Sequence, residues 1–450
     1  MSNSLPAGWV HAPIEDLVQF NPKTNAPDEL ECGFVPMQGL GTAFLAPLKV
    51  QEPRVWRDVR KTYTHFKDGD VLVAKVTPCF ENGKAGVAAG LPNGIGAGSS
   101  EFCVFRPEKG VDSRFLLGWF STENFRRRAK VAMTGSVGLK RVPKDVFLGE
   151  LLPLAPEPEQ RRIADKLESV LARVDGVNER LGRVTPMLKR LRQSVLAAAT
   201  SGKLTEEWRG GKAAEWLLER ADLVCDKVQS GGTPKAGFSE AGVPFLKVYN
   251  IVNQKIAFDY KPQFVSQSVH LGELKKSHVQ PGDVLMNIVG PPLGKVAIVP
   301  CTYRNWNINQ AIAMFRPSAT LSSVWIYIVL CEGAPIRKVL ASTKGSVGQI
   351  NISLSQCRAF EFPVPPPDEQ TEIVRRVEVL FAYVDRLEAK LQAAQDAAQR
   401  LTPALLAKAF RGELVPQDPS DAPAIELLQQ LVESKSRMQP IGKKTRKMTA

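Results

Sequence analysis

At 450 residues the chain is longer than one hydrophobic core organises, so two to four domains are expected. Being 44% hydrophobic and 23% charged, it has the make-up of a soluble globular protein, which excludes a disordered or membrane-embedded chain. Its 59 Lys and Arg against 46 Asp and Glu leave a net charge of +13, a field that favours a polyanion such as nucleic acid, although a merely basic soluble protein has the same balance.

The opening MSNSLPAGWV lacks the basic-then-apolar run of a signal peptide. The longest apolar run, Val324 to Cys331, is too short to cross a bilayer, so a cytoplasmic protein is expected. Residues 1–151 mix β-rich runs such as DVLVAK and EFCVFRP with Gly, Pro and Asn punctuation, which predicts an α/β domain of moderate size. A helical region over 152–205 follows, opened by PLAPEPEQ, where Pro is tolerated in the first turn and Glu favours the positive helix end.

In that region Ile163, Leu167, Val170, Val174, Val177, Leu181, Val184, Leu188, Leu191 and Val195 alternate steps of four and three. A 3.5-residue period held this long is the seam of a coiled coil. The helix from about Pro158 to Ala199 would span on the order of 60 Å, with a kink expected at Pro186. Between Arg161 and Arg192 it carries nine Arg or Lys and four Asp or Glu, either a grip on a polyanion or a solvated face. Residues 206–220 predict a linker with a short helix.

From about residue 221 the chain starts again. GSVG at Gly135–Gly138 returns at Gly345–Gly348, an offset of 210 residues, and FRP at Phe105–Pro107 returns at Phe315–Pro317 with the same offset. So do Glu159-Gln160 as Glu369-Gln370, Val174-Asp175 as Val384-Asp385, and Gly202 and Leu204 as Gly412 and Leu414. AAEWLLER aligns with PAIELLQQ at that offset, while DGDVLVAK matches PGDVLMNI at 213, so insertions have accumulated in the front parts. Self-similarity at a fixed offset marks an internal duplication. Residues 221–362 then form a second α/β domain and 363–415 a second helical region, with Ile373, Val377, Leu380, Val384, Leu387, Leu391, Ala394, Ala398, Leu401 and Leu405 in the same rhythm. Residues 416–450 predict a short helix and a basic tail.

A duplicated chain whose halves join an α/β domain to a long helix, opening on LPAGWV, entering the helices at PLAPEPEQRRI and PVPPPDEQTEI, and closing in SGKLTEEWR and RGELVPQ, resembles the specificity subunits of Type I restriction-modification systems. The resemblance covers nearly the whole chain. It implies two target recognition domains, each reading half of a split, asymmetric site in double-stranded DNA, separated by two helices forming an antiparallel coiled coil. It also implies docking of two methyltransferase subunits and of restriction and translocase subunits, which would hold S-adenosylmethionine, ATP and Mg, none of them bound by this chain.

The residues themselves offer no catalytic constellation. Asn21-Pro22 is followed by Lys23, so the NPP(F/Y) tetrapeptide of an adenine methyltransferase is missing. GPPLGK at Gly290–Lys295 is one residue short of a phosphate loop and continues into Val296, and GIGAGS at 94–99 reads as a turn. Cysteines 32, 79, 103, 225, 301, 331 and 357 form no CxxC pair and gather with the four histidines into no metal pattern. A non-catalytic DNA-reading subunit is the expectation. The rival is a coiled-coil scaffold whose two domains bind protein partners.

Base readers are usually Arg, Lys, Asn, Gln or Ser on exposed loops. In the first domain Lys75, Lys84, Ser136, Lys140 and Arg141 qualify, the last three beside GSVG, which is either a tight turn or a close approach to phosphate. In the second they are Lys247, Asn250, Asn309, Gln310, Lys344, Ser346, Gln349 and Asn351, although Asn309-Gln310 equally reads as satisfying a buried strand end. The Arg126-Arg127-Arg128 run reads as a solvated helix face or a phosphate contact.

Overall fold

The computed structural model describes residues 5–136, 138–342 and 351–438. The chain forms two units, one from the chain up to Gly182 together with the chain from Gln392 onward, the other from Arg183 to Leu391. The first begins with β1 (Val10–Pro13), α1 (Ile14–Leu17), β2 (Val18–Phe20), β3 (Glu31–Val35), β4 (Gln51–Val55), α2 (Trp56–Val59) and β5 (Thr64–Lys67). Next come β6 (Val71–Ala74), β7 (Ala85–Val87), β8 (Ile95–Gly98) and β9 (Phe102–Pro107). Two helices, α3 (Ser113–Phe120) and α4 (Glu123–Val131), lead to the hairpin β10 (Thr134–Ser136) and β11 (Leu139–Arg141), then α5 (Lys144–Leu148) and β12 (Leu151–Leu154).

Two four-stranded sheets result, β2-β9-β6-β7 and β4-β3-β8-β5, and in the second β3 and β8 run parallel. Every residue of β6 is buried, which is why VLVA is an unbroken apolar run instead of an alternation. Asp112 starts α3 by accepting the N–H groups of Arg114 and Phe115, as a carboxylate at a helix N-cap does. Antiparallel pairing of β1 with β12 zips the entrance of the domain to its exit, so the domain extends to Leu154.

A long helix, α6 (Glu157–Thr200), runs through both units. After it the second unit takes β13 (Leu217–Arg220), α7 (Ala221–Val224), β14 (Lys227–Ser230), β15 (Val243–Leu246), β16 (Ile251–Val252), β17 (Lys255–Ile256), β18 (Phe264–Val265) and α8 (Gln267–Leu271). It continues with β19 (His278–Val279), β20 (Val284–Asn287), β21 (Val296–Ile298), β22 (Trp306–Ile308) and β23 (Ile312–Arg316). It closes with α9 (Ser323–Glu332), α10 (Ala334–Ser342), α11 (Leu354–Arg358) and β24 (Glu361–Val364), followed by the second long helix α12 (Pro367–Ala409) and by α13 (Ala424–Met438), which belongs to the first unit.

The sheets β14-β23-β20-β21 and β18-β15-β22-β19 repeat the order of the first unit, including a parallel pair, β15 with β22. The duplication is therefore one of topology as well as of letters.

The repeated motifs are paired groups. In the first unit Arg106 of FRP donates from Nε and Nη2 to the buried carboxylate of Asp70 in DGDVL, at 2.8 and 2.7 Å. In the second, Arg316 does the same to Asp283 at 2.9 and 2.7 Å. The Glu-Gln pair at each helix start is buried too. Trp9 Nε1 donates to Glu159 at 3.0 Å, and Trp216 Nε1 to Glu369 at 2.9 Å. Gln160 donates to the Ala155 carbonyl and accepts the Asp112 N–H, and Gln370 donates to the Pro365 carbonyl and accepts the Ser322 N–H.

In each unit one half of α6 packs on one half of α12. In the second, Val195, Leu196 and Ala199 share a core with Ile373, Val377 and Leu380, while Arg192 pairs with Asp385 and Glu388. As α6 advances α12 recedes, so the pair is antiparallel. In the first, Ile163, Leu167 and Leu171 share a core with Leu405, Leu406, Ala409 and Phe410.

Several expectations need correction. Val177, Leu191 and Leu401 are 45, 40 and 47% exposed, and Ala394 is exposed too. Leu171, Leu196 and Leu406 are buried instead. Near its ends each helix packs on an α/β body as well as on its partner, which widens the buried stripe from the 3.5-residue seam to a 3.6-period face. The helix continues through Pro186, whose side chain is exposed, leaving the carbonyl one turn back open to water. Residues 206–220 hold no short helix. Leu217–Arg220 is instead a strand that pairs with β24, so the alignment of AAEWLLER with PAIELLQQ joins a strand to a helix.

Candidate nucleic-acid interface

The parallel strands β3 and β8 end side by side, and the candidate side chains of the first unit gather near that end. Lys84 Nζ donates to the carbonyl of Met37, just past β3, at 2.8 Å. Lys75 Nζ donates to the carbonyl of Ser100, just past β8, at 2.9 Å. The β10–β11 hairpin that carries the first GSVG is tied to the same place. Thr77 N–H donates to the Lys140 carbonyl at 2.9 Å, Lys140 N–H donates to Thr77 Oγ1 at 3.0 Å, and Val142 N–H donates to the Lys75 carbonyl at 2.9 Å.

Gly135 has φ +129°, and a Cβ on it would lie 2.6 Å from the Leu139 carbonyl, so the hairpin requires glycine there. Ser136 and Lys140 point out of it, both exposed. Arg141 does not reach outward freely: Nε and Nη2 fork onto Glu101 at 2.9 and 2.6 Å. That hydrogen bond, aided by the positive charges of Arg141 and Lys75, holds the Glu101 carboxyl below its usual range. Nothing in the letters linked Glu101 or Thr77 to this site, because both meet it only through tertiary pairing.

Arg126 is folded over Gly83 and donates to the Glu81 carbonyl at 2.6 Å, Arg128 pairs with Glu150, and Arg127 is exposed. The run is thus divided among three environments.

In the second unit β15 and β22 end at the corresponding place. Asn309 N–H donates to the Leu246 carbonyl at 3.0 Å, and Lys247 follows directly with its ammonium 4.5 Å from the Phe238 ring centroid. Gln310 accepts from the Thr233 hydroxyl, and the buried Asn309 Oδ1 has no partner among the described residues. Asn351 bridges to Val289 as Arg141 bridges to Val76, so an exposed amide stands where the first unit has an arginine.

Asn250 is no candidate reader. It is fully buried, accepting the Lys247 N–H at 2.9 Å and donating to the Ala257 and Tyr260 carbonyls, an amide spent on holding a turn. Lys344, Ser346, Gln349 and the second GSVG lie outside the described residues.

GPPLGK leads into strand β21, and Asn287 clamps its turn by donating to the Val289 and Pro292 carbonyls. A phosphate loop needs a helix there. Among the described residues no group of His, Cys, Asp and Glu could hold a metal ion, and no helix is long and apolar enough to cross a membrane.

Residues 221–394 match the family described as the Type I restriction modification DNA specificity domain. The specificity subunit of the Type I restriction enzyme EcoKI of Escherichia coli (strain K12) is 30% identical, over 70% of this chain and 69% of that protein. This chain belongs to the Type I restriction enzyme specificity subunits. The EcoEI specificity subunit of Escherichia coli is 27% identical over 89% of this chain and 82% of its own length.

Two solved structures share the specificity-subunit fold. One is a chain from work on complex assembly and conformational transition of the type I R-M system, with a TM-score of 0.75 and 20% identity over 92% of this chain and all of that one. The other is the HsdS subunit from Thermoanaerobacter tengcongensis, with a TM-score of 0.60 and 21% identity over 91% of this chain and 98% of that one. As a specificity subunit the chain is a DNA-recognition component, and the clusters at the ends of the parallel strand pairs are its candidate reading surfaces.

Proposed function

We propose that this specificity subunit reads a bipartite, asymmetric site in double-stranded DNA, one half with each α/β domain, and docks two methyltransferase subunits and restriction and translocase subunits without itself catalysing a reaction. The observation that carries the reading is a repeated site with unrepeated side chains. The same place in the two domains presents Lys140 and an arginine held by Glu101 in one, and Asn351, Gln310 and Lys247 in the other. Equivalent frames place both clusters alike, and different donors and acceptors read different base edges.

In this mechanism Lys140 and Lys75 meet phosphates and set register. Arg141, held flat against Glu101 through Nε and Nη2, has its guanidinium plane fixed before DNA binds. S-adenosylmethionine, ATP and Mg belong to the partner subunits.

The test is the mass and composition of the complex recovered from the native cell, followed by selection of its DNA site from random sequence. Two methyltransferase copies per chain and a split site are expected. A lone chain, or partners with no selected DNA, would sink the reading in favour of the protein-binding scaffold.

A further inference from the structure

The two units differ at one face. In the first, α13 lies along β1 and α1. Its Ala424 N–H donates to the Gly8 carbonyl at 2.8 Å, Leu431 is buried, and Lys435 Nζ donates to the Val18 carbonyl at 3.1 Å, just past α1. Leu427 lies so close over Gly110 that a Cβ there would come within 2.7 Å of it.

The corresponding track in the second unit is Trp216, β13 and α7, with Thr320 at the place of Gly110. It holds a cavity of about 940 Å³ lined by Arg209, Trp216, Leu217, Thr320, Pro366 and Glu369 among others. Leu217 and Leu223 are 69 and 71% exposed along it. The principal neighbours of β13 are β24 and α7. No second α13 arises here, because after α6 the chain turns through 201–216 and enters β13 directly.

We propose that this face is a docking seat for one amphipathic helix of a partner subunit, bound as α13 is bound in the first unit. The proposal rests on the reading that the chain works inside a multisubunit complex. The seat dictates the occupant: a small residue in the first turn, leucines three and seven positions on, and a Lys or Arg in the last turn for the carbonyls at the end of α7. Ala424, Leu427, Leu431 and Lys435 are that pattern in this chain. A second copy does not supply it, since its own α13 is engaged through the buried Ala424 and Leu431.

The probe is a fluorescein-labelled peptide of residues 421–438 titrated into the full chain and followed by anisotropy. Saturable binding is expected, weakened at least tenfold by Leu217→Asp and by Leu223→Asp. Both positions are exposed, so the variants fold. Absence of saturable binding, or binding by both variants as tight as by the unaltered chain, would overturn the seat. Self-association of the chain abolished by Leu217→Asp would give the seat to a second copy and overturn the partner.

Hydrogen exchange on the assembled complex supplies the second readout. Protection of 216–224 supports the occupant, and unchanged exchange there in a formed complex overturns it. Failure of any complex to form would count against the multisubunit reading and leave the peptide result standing.

Discussion

Glu159 and Glu369 occupy the same place in the two copies and hold a tryptophan indole each, yet their surroundings differ. Glu369 also accepts from Thr205 Oγ1 at 2.7 Å and from the largely buried Arg209. Glu159 has one buried oxygen, Oε1, with no partner among the described residues. Burial therefore pushes its carboxyl pKa up, only partly offset by the Trp9 indole and Arg162.

For an acid the folded pKa then exceeds the unfolded value, so this group's stabilising contribution is complete below the unfolded pKa of about 4.3 and is lost as pH rises through the folded one. Glu159→Gln is expected to change stability at neutral pH by less than about 1 kcal/mol and to flatten the decline that sets in as pH rises above about 4.3. Glu369→Gln strands a buried guanidinium and should cost about 3 kcal/mol. Urea unfolding followed at several pH values measures both, and equal costs would refute the asymmetry. At the interface, Lys140→Ala should weaken DNA binding alike for all sequences and lower the salt slope by about 1, read from titrations at several ionic strengths.

At the scale of elements, the two long helices carry a seam that is dry near their ends and half-wet between, with Val177 and Leu191 exposed on α6. A helix pair in water buries one stripe. Its ends gain a second contact from the α/β bodies, which explains Leu171, Leu196 and Leu406. Four residues inserted after Val177 add about 6 Å of rise. The selected DNA site should then keep both half-sites and change the gap between them. An unchanged gap would remove α6 as the determinant of spacing.

The 3.5-residue rhythm made the helices legible in the letters, since it needs only local periodicity. Strand β13 was not legible: LLER has helical propensity, and pairing with β24 overrides it.

For the whole molecule, exchanging residues 1–150 for those of another specificity subunit should alter one half-site and leave the other, as read by selection from random DNA. Binding by the intact complex should fall by about a thousandfold or more between about 50 and 200 mM salt if six or more phosphates are neutralised.

The sequence by itself determined the duplication, the α/β and helical segments and the family, because repeats, apolar period and motif order are properties of the chain read in line. The pairing of FRP with DGD was hidden in it: Asp70 and Arg106 are distant in the chain and meet only when β6 pairs with β9. Tertiary structure alone decided that Arg141 faces Glu101, that Asn250 is spent inside a turn, and that α13 covers the first unit while Leu217 and Leu223 stay exposed on the counterpart face of the second. The physical reason is the same in each case. A polar side chain's role depends on which partner burial brings within 3 Å or so, and that partner is set by strand pairing and packing across the fold.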